Sequence, residues 1–343
     1  MNARYIIQIF ASILLMMMSS CSRDHLYYDS ISRSQVQLNI DWSQTAFSVV
    51  NSNYDRDNLL NGVTIFAFDA ETQQLSTELP PDANWKSPRL SLNPGIYHLI
   101  VINDSRAELP AINFDISQPF EEFCAYLDVD TVYTEYPDYL TVSSVRNVNF
   151  KSSFRDYFYD QPEDYITDFV TEEIDTEQHP VTKKVNIRAY IKGMNYCRGM
   201  QPSFISGLAK SVDLATEIPG RQKVVYAFNL INLEYRNSEY TEALLTQSFN
   251  SYGFSKENLQ TGTKSELTLN FVLVDNSIHT VKADVTEQLE QWLIEHMIAG
   301  NPYQDIDIEI EVTLPPVSPC PSDAEGFVPE TLPWNDITQN IVI

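Results

Sequence analysis

The stretch Ile306-Asp307-Ile308-Glu309-Ile310-Glu311-Val312-Thr313-Leu314 decides the fold class. Every second residue is aliphatic and the residues between are acids or Thr, so one face of an extended chain can be buried while the other meets water. A helix would scatter those five aliphatics around its circumference. Outward from this stretch the same period recurs. Val185, Ile187, Ala189 and Ile191 alternate with Asn186, Arg188 and Tyr190, and Val36, Leu38, Ile40 and Trp42 alternate with Gln37, Asn39 and Asp41. Residues 63–68, after an Asn61-Gly62 turn signal, form another strand. Residues 96–102 are long and apolar enough to be central in a sheet, and they follow Asn93-Pro94-Gly95, a turn in which Pro sets φ and Gly tolerates positive φ. Further apolar runs lie at 111–116, 125–132, 224–233 and 267–274, and Ser206-Gly207 reads as turn chemistry.

One helix is expected, over residues 284–299. Asp284 or Thr286 caps it, Leu289, Trp292, Leu293 and Met297 share its apolar face, and Gly300-Asn301-Pro302 stops it. Trp292 and Met297 are core residues of such a helix, which packs on the strands or bridges two sheets. Many short strands with one helix make a mostly β chain of sandwich type. Its length, 343 residues, exceeds the usual single core. The expected organisation is an N-terminal β-sandwich domain at 34–165, an acidic linker at 166–182, a C-terminal β-sandwich domain at 183–315 and a Pro-rich tail at 316–343. The linker reading rests on nine acids against one base between Arg155 and Gln178. These acids lack both the spacing and the Gly of an EF-hand calcium loop.

Residues 1–20 read as a lipoprotein signal peptide. Arg4 precedes an apolar run of about 14 residues, too short to cross a hydrocarbon core that needs about 20 helical residues. Met18-Ser19-Ser20-Cys21 then matches a bacterial lipobox, which makes Cys21 the lipidation site and the membrane a partner. Two or three acyl chains on one residue give stable anchoring, since each buried methylene contributes about 0.8 kcal/mol. Residues 21–33 form a tether that keeps the fold near the membrane.

Loss of Arg4 moves the net charge from −25 to −26. So acidic a surface repels phosphate backbones and excludes nucleic acid as a partner. Cys124, Cys197 and Cys320 include no CxxC; Cys124 and Cys197 read as buried small residues, or one disulfide forms among the three and leaves a free thiol. The five His are scattered, and GxSxG, HExxH, P-loop and GxGxxG patterns are all missing from the sequence. No enzyme, cofactor or metal is expected. In the tail, Trp334, Ile341, Val342 and Ile343 stand out, either as a final strand clamped on its own domain or as a segment contacting the sheet edge of another protein.

The order of lipobox, opening strand ending in Asp41-Trp42-Ser43, turn-strand Pro94-Gly95-Ile96-Tyr97 with Asn103 after it, Ile205-Ser206-Gly207-Leu208-Ala209, and Ala283-Asp284-Val285-Thr286-Glu287-Gln288 resembles a family of Bacteroidales surface lipoproteins. That family is similar to the anchor subunits associated with fimbrillin, and the resemblance spans nearly all of residues 21–314. It implies two tandem transthyretin-like (Greek-key) β-sandwiches, an outer-membrane location facing the cell exterior, and a place as anchor or accessory subunit of a fimbria with pilin or other fimbrial subunits as partners. Only Asp24 and Asp29 follow the lipidated Cys closely, whereas many exported members carry an acid cluster there, so exterior display comes from the family and not from these residues. The competing reading is a surface glycan-binding lipoprotein of a nutrient-uptake system, with Trp85, Trp334 and the Tyr-rich stretch 126–139 as stacking platforms.

Overall fold

The computed structural model describes residues 32–33, 35–49, 60, 62–82, 84–128, 134–153, 170–254, 264–298 and 304–319. The signal segment with Cys21, most of the tether, Cys320, Trp334, Ile341, Val342 and Ile343 lie outside the described residues. The first half carries β1 (Ser32–Arg33), β2 (Gln35–Asp41), β3 (Val63–Asp69), β4 (Leu75–Asp82), β5 (Arg89–Ser91), β6 (Gly95–Asn103), β7 (Asn113–Phe114), β8 (Cys124–Tyr126), β9 (Thr141–Phe150), β10 (Ser152–Ser153), β11 (Val170–Glu177) and β12 (His179–Pro180). The second carries β13 (Lys183–Lys192), β14 (Cys197–Ala209), β15 (Ser211–Asp213), β16 (Lys223–Phe228), β17 (Asn232–Tyr235), β18 (Glu242–Ser251), β19 (Glu266–Leu273), β20 (Ile278–Asp284) and β21 (Ile306–Thr313). Helix α1 (Thr286–Trp292) and the π-helical turn Leu293–Ile298 separate β20 from β21.

The chain is mostly β, as its alternation requires. Sheet β11-β2-β5 packs on sheet β12-β9-β6-β3-β4, and sheet β17-β18-β13-β21 packs on β16-β14-β19-β20. Each pair forms a sandwich, and β6 is the central strand of its sheet. The two halves share one topological device: the opening strand pairs in parallel with the closing one. Leu38 of β2 lies beside Ile174 of β11, and Ile187 of β13 beside Ile308 of β21.

The acidic segment is therefore not simply a linker. Residues 170–177 form an edge strand of the first sandwich, and β12 adds to its other sheet. Glu173, Asp175 and Glu177 point to solvent while Ile174 packs against the core, which lets an edge strand carry charges that block further pairing. The run at 224–233 is two strands, because the chain crosses between sheets at 229–231 with Leu230 buried in the crossing. Ser206-Gly207 is a β-bulge inside β14, where Gly207 takes φ +96°. Gly95 does not use positive φ; a Cβ there would meet the Tyr97 ring at 3.2 Å, so its smallness makes room for that ring.

Strands β3 and β6 are buried on both faces. Val63, Ile65, Ala67, Leu99 and Val101 face the first sandwich core, and Phe66, Phe68, Ile100 and Ile102 face the other way. That second face meets Leu109, Ile112, Phe114, Phe120 and Phe123 and continues without a break into the core of the second half. Sheet β15-β8-β7 also crosses the boundary, pairing Val212 with Ala125, and Leu214 N–H donates to the Phe123 carbonyl at 2.9 Å. The halves are tandem sandwiches fused through one apolar core.

Helix α1 lies against this core through Leu289 and Trp292, and Leu293 of the π-helical turn continues the contact. Asp284 accepts a hydrogen bond from Thr286 N–H at the helix start. The Gln288 side chain lies on the outer edge of β21, donating to the Glu309 carbonyl (3.1 Å) and accepting from Glu309 N–H (2.9 Å). One amide side chain thus takes the place of a neighbouring strand at that edge.

Candidate partner-binding edge and cleft

The edge opposite β21 in the same sheet is β17, and among the described residues no strand pairs with its outer side. Leu233 and Tyr235 stand across from Leu245 and Ala243 of β18. Arg236 N–H donates to the Glu242 carbonyl (2.8 Å), so by antiparallel parity the main-chain groups of Leu233 and Tyr235 point away from β18. The side chains of Ile231, Leu233 and Tyr235 share the inner face yet overhang the core, with exposures of 67%, 42% and 45%. Tyr240, 61% exposed, packs edge-on against Tyr235 with ring centroids 4.9 Å apart. The turn that holds this pair is braced by Asn237, whose amide donates to the Thr241 hydroxyl and accepts from Thr241 N–H. An apolar stripe at two-residue spacing beside unpaired main-chain groups is what an added strand requires.

Beside this edge a cleft of about 1100 Å³ opens between the halves. It is lined by Gln44, Glu135, Tyr136, Asn229, Gln247 and Asn250, among others. Tyr136 stacks on Phe249 at 5.6 Å and an interplanar angle of 27°, and Phe249 is wedged against Tyr226 and Phe228. Tyr139 accepts a hydrogen bond from Ala46 N–H through its phenol oxygen, and Asp138 accepts one from Ala111 N–H. These bonds tie the 135–139 segment to the first half.

Other sequence candidates resolve into structural roles. Trp85 packs edge-on against Trp42, whose indole N–H donates to the Trp85 carbonyl, and the Lys86 ammonium lies over its ring. Cys124 and Cys197 are free thiols. Burial pushes the Cys124 thiol up to about 11 and raises that of Cys197, so both stay protonated and poorly nucleophilic. His98 packs against Phe120 with its ring tilted by 38° and accepts from Asn147 N–H through Nδ1; burial lowers its pKa. Among the described residues no group of three or more His, Cys, Asp or Glu is arranged to hold a metal ion, and no helix is long and apolar enough to cross a membrane.

No protein-family model matches the chain, and no curated protein matches it. Solved structures do. A Bacteroides ovatus protein described as a "putative adhesin" superposes with a TM-score of 0.52 and 16% identity, over 85% of this chain and 96% of that one. A Bacteroides thetaiotaomicron protein of the same description gives 0.50 and 10%, over 83% and 93%. The chain shares their fold. The fimbrial anchor protein Mfa2 from Porphyromonas gingivalis aligns over 82% of this chain and 90% of that one at 11% identity, with a TM-score of 0.46 that is too low to bear on the fold.

Both features were only partly visible to sequence reasoning. The Tyr-rich stretch contained Tyr136, but its alternation does not separate Tyr136, which is exposed, from Tyr139, which packs against the first core. The β17 edge was hidden inside the continuous apolar run at 224–233. A signal existed at 231–236, where Ile231, Leu233 and Tyr235 alternate with Asn232, Glu234 and Arg236.

Proposed function

We propose that this chain is a lipid-anchored cell-surface structural or adhesion protein, an anchor or accessory subunit of a fimbria. The observation that carries the reading is the open, apolar β17 edge in a chain with the fold of two Bacteroides adhesin-type proteins. Acyl chains on Cys21 hold the protein in the outer membrane, on its exterior face. The second sandwich, farther along the chain from the lipid, presents β17 to an extended segment of a pilin or another fimbrial subunit. Main-chain hydrogen bonds along Leu233 and Tyr235 supply affinity, and contacts with the Ile231-Leu233-Tyr235 stripe supply selectivity. The tail at 316–343, with Trp334, Ile341, Val342 and Ile343, is a second contact to the same partner.

The test is co-purification of fimbrial subunits with the tagged full chain from cross-linked cells. The Leu233→Lys/Tyr235→Lys double variant and deletion of 316–343 are each expected to lower subunit recovery about tenfold or more, with the protein folded and membrane-bound. Cys21→Ser is expected to shift the protein from the membrane to the soluble fraction. Unchanged subunit recovery with the β17 variant sinks the edge assignment, unchanged recovery with the truncation sinks the tail's role, and membrane retention of Cys21→Ser sinks the lipid anchor.

A further inference from the structure

We propose that the cleft between the two halves is a binding site for a neutral oligosaccharide, with Tyr136 as its stacking platform. This goes beyond a role in assembly and stands on different residues. Tyr136 is 42% exposed, and its ring is held by Phe249, itself almost fully buried. A flat aromatic surface fixed in place is suited to the apolar face of a pyranose ring, because no side-chain freedom is lost when the ligand arrives.

The polar lining points to hydroxyl groups. Gln44, Asn229, Gln247 and Asn250 line the cleft, and their side-chain amides make no hydrogen bond to another described residue. Each amide offers both donors and an acceptor, which matches the donor and acceptor character of sugar hydroxyls. An apolar ligand would leave these amides unpaired as it displaced their water, a loss for each group covered. Asp138, by contrast, already accepts from Ala111 N–H and serves the wall rather than the ligand.

Charge excludes an acidic ligand. Glu135, Asp138 and Asp305 line the cleft against the single base Lys184, and the whole chain carries −25. An anionic polysaccharide would be repelled both at the site and at long range. The site class is therefore neutral glycan, held by one ring platform and several amides, in a cleft whose two walls come from different halves of the chain.

The experiment is affinity electrophoresis of the detergent-solubilised full chain in native gels containing soluble starch, xyloglucan, mixed-linkage β-glucan or galactomannan, with polygalacturonate and heparin as anionic arms. Retardation in at least one neutral polysaccharide is expected. Tyr136→Ala should weaken it at least tenfold and Tyr136→Trp should retain it. Tyr190→Ala, which removes an exposed aromatic on the outer face of β13, should leave it unchanged. Gln247→Ala/Asn250→Ala, which spares the platform, should weaken it several-fold, so the proposal does not depend on Tyr136→Ala folding. No retardation in any neutral arm, retardation only in the anionic arms, or equal retardation of wild type and the Gln247→Ala/Asn250→Ala variant overturns the assignment. None of these outcomes touches subunit capture through β17, so the two readings fail separately.

Discussion

Phe123→Ala is expected to lower the unfolding free energy by about 3–5 kcal/mol, the usual cost of deleting a fully buried aromatic ring, and to lower the unfolding midpoints of both halves together. Phe123 has no exposed surface, and its ring lies 4.9 Å from Phe66 and 5.1 Å from Phe68 on the rear face of the five-stranded sheet. Its own carbonyl accepts from Leu214 N–H in the second half. Removing the ring opens a cavity in the apolar layer that both sandwiches share, and neither can repack it alone. The measurement is urea unfolding followed by fluorescence in variants that keep only Trp42, in the first half, or only Trp292, in the second. Coincident transitions in the parent that move together in Phe123→Ala are the expected result. Two separate transitions, with only the Trp42 signal displaced, would show that the halves fold independently.

Raising the pH from about 7.5 to about 10 is expected to strengthen the fold through Lys183 by about 3 kcal/mol at full extent. Lys183 is 4% exposed, its ammonium donates to the Pro180 carbonyl, and burial pulls its pKa from 10.5 down to about 8, with Glu217 opposing. The folded-state value lies below the unfolded one, so between these two pH values the unfolded chain binds the proton that the folded chain lacks. Stability from this group therefore rises with pH across that window and is flat below about 8, where both states are protonated. The acidic surface grows more self-repelling over the same range, so the quantity to measure is wild type minus Lys183→Met. That difference should move in favour of the wild type as pH rises, although the variant also leaves the Pro180 carbonyl without this donor. Parallel pH profiles for the two proteins would show that the Lys183 ammonium is not penalised by burial.

Much of the fold was legible because the chain's strongest signal is local. Strands β2, β13 and β21 follow from alternation alone, and β6 announces its central place by being apolar at most positions. The helix is legible to within a residue or two at its start, since Asp284 and Thr286 mark where the extended chain gives way to helical spacing. What escaped depends on residues far apart. The acids at 172–177 read as a solvated linker because edge position, not composition, lets a strand carry them. The fused core escaped because Phe114, Phe120 and Phe123 sit in short strands and turns with no period to read. The cleft amides gave no signal either, since an Asn or Gln on a strand looks the same whether it faces water, a neighbour or a ligand. Gln288 is a further case, an ordinary surface residue of a helix until β21 is placed beside it.

The parallel pairing of opening and closing strands also governs when the chain can fold. Asn39 and Asp175, hydrogen-bonded across β2 and β11, are 136 residues apart, and Asn186 and Asp307, across β13 and β21, are 121 apart. Neither contact can form by local hairpin closure, so each sandwich stays incomplete until nearly its whole length has left the ribosome. Topologies dominated by such distant contacts fold slowly, in about milliseconds to seconds. Until those two registers close, β2 and β13 each lack the parallel neighbour that the finished sheet gives them, so the strands made first in each half are among the last to be fully paired.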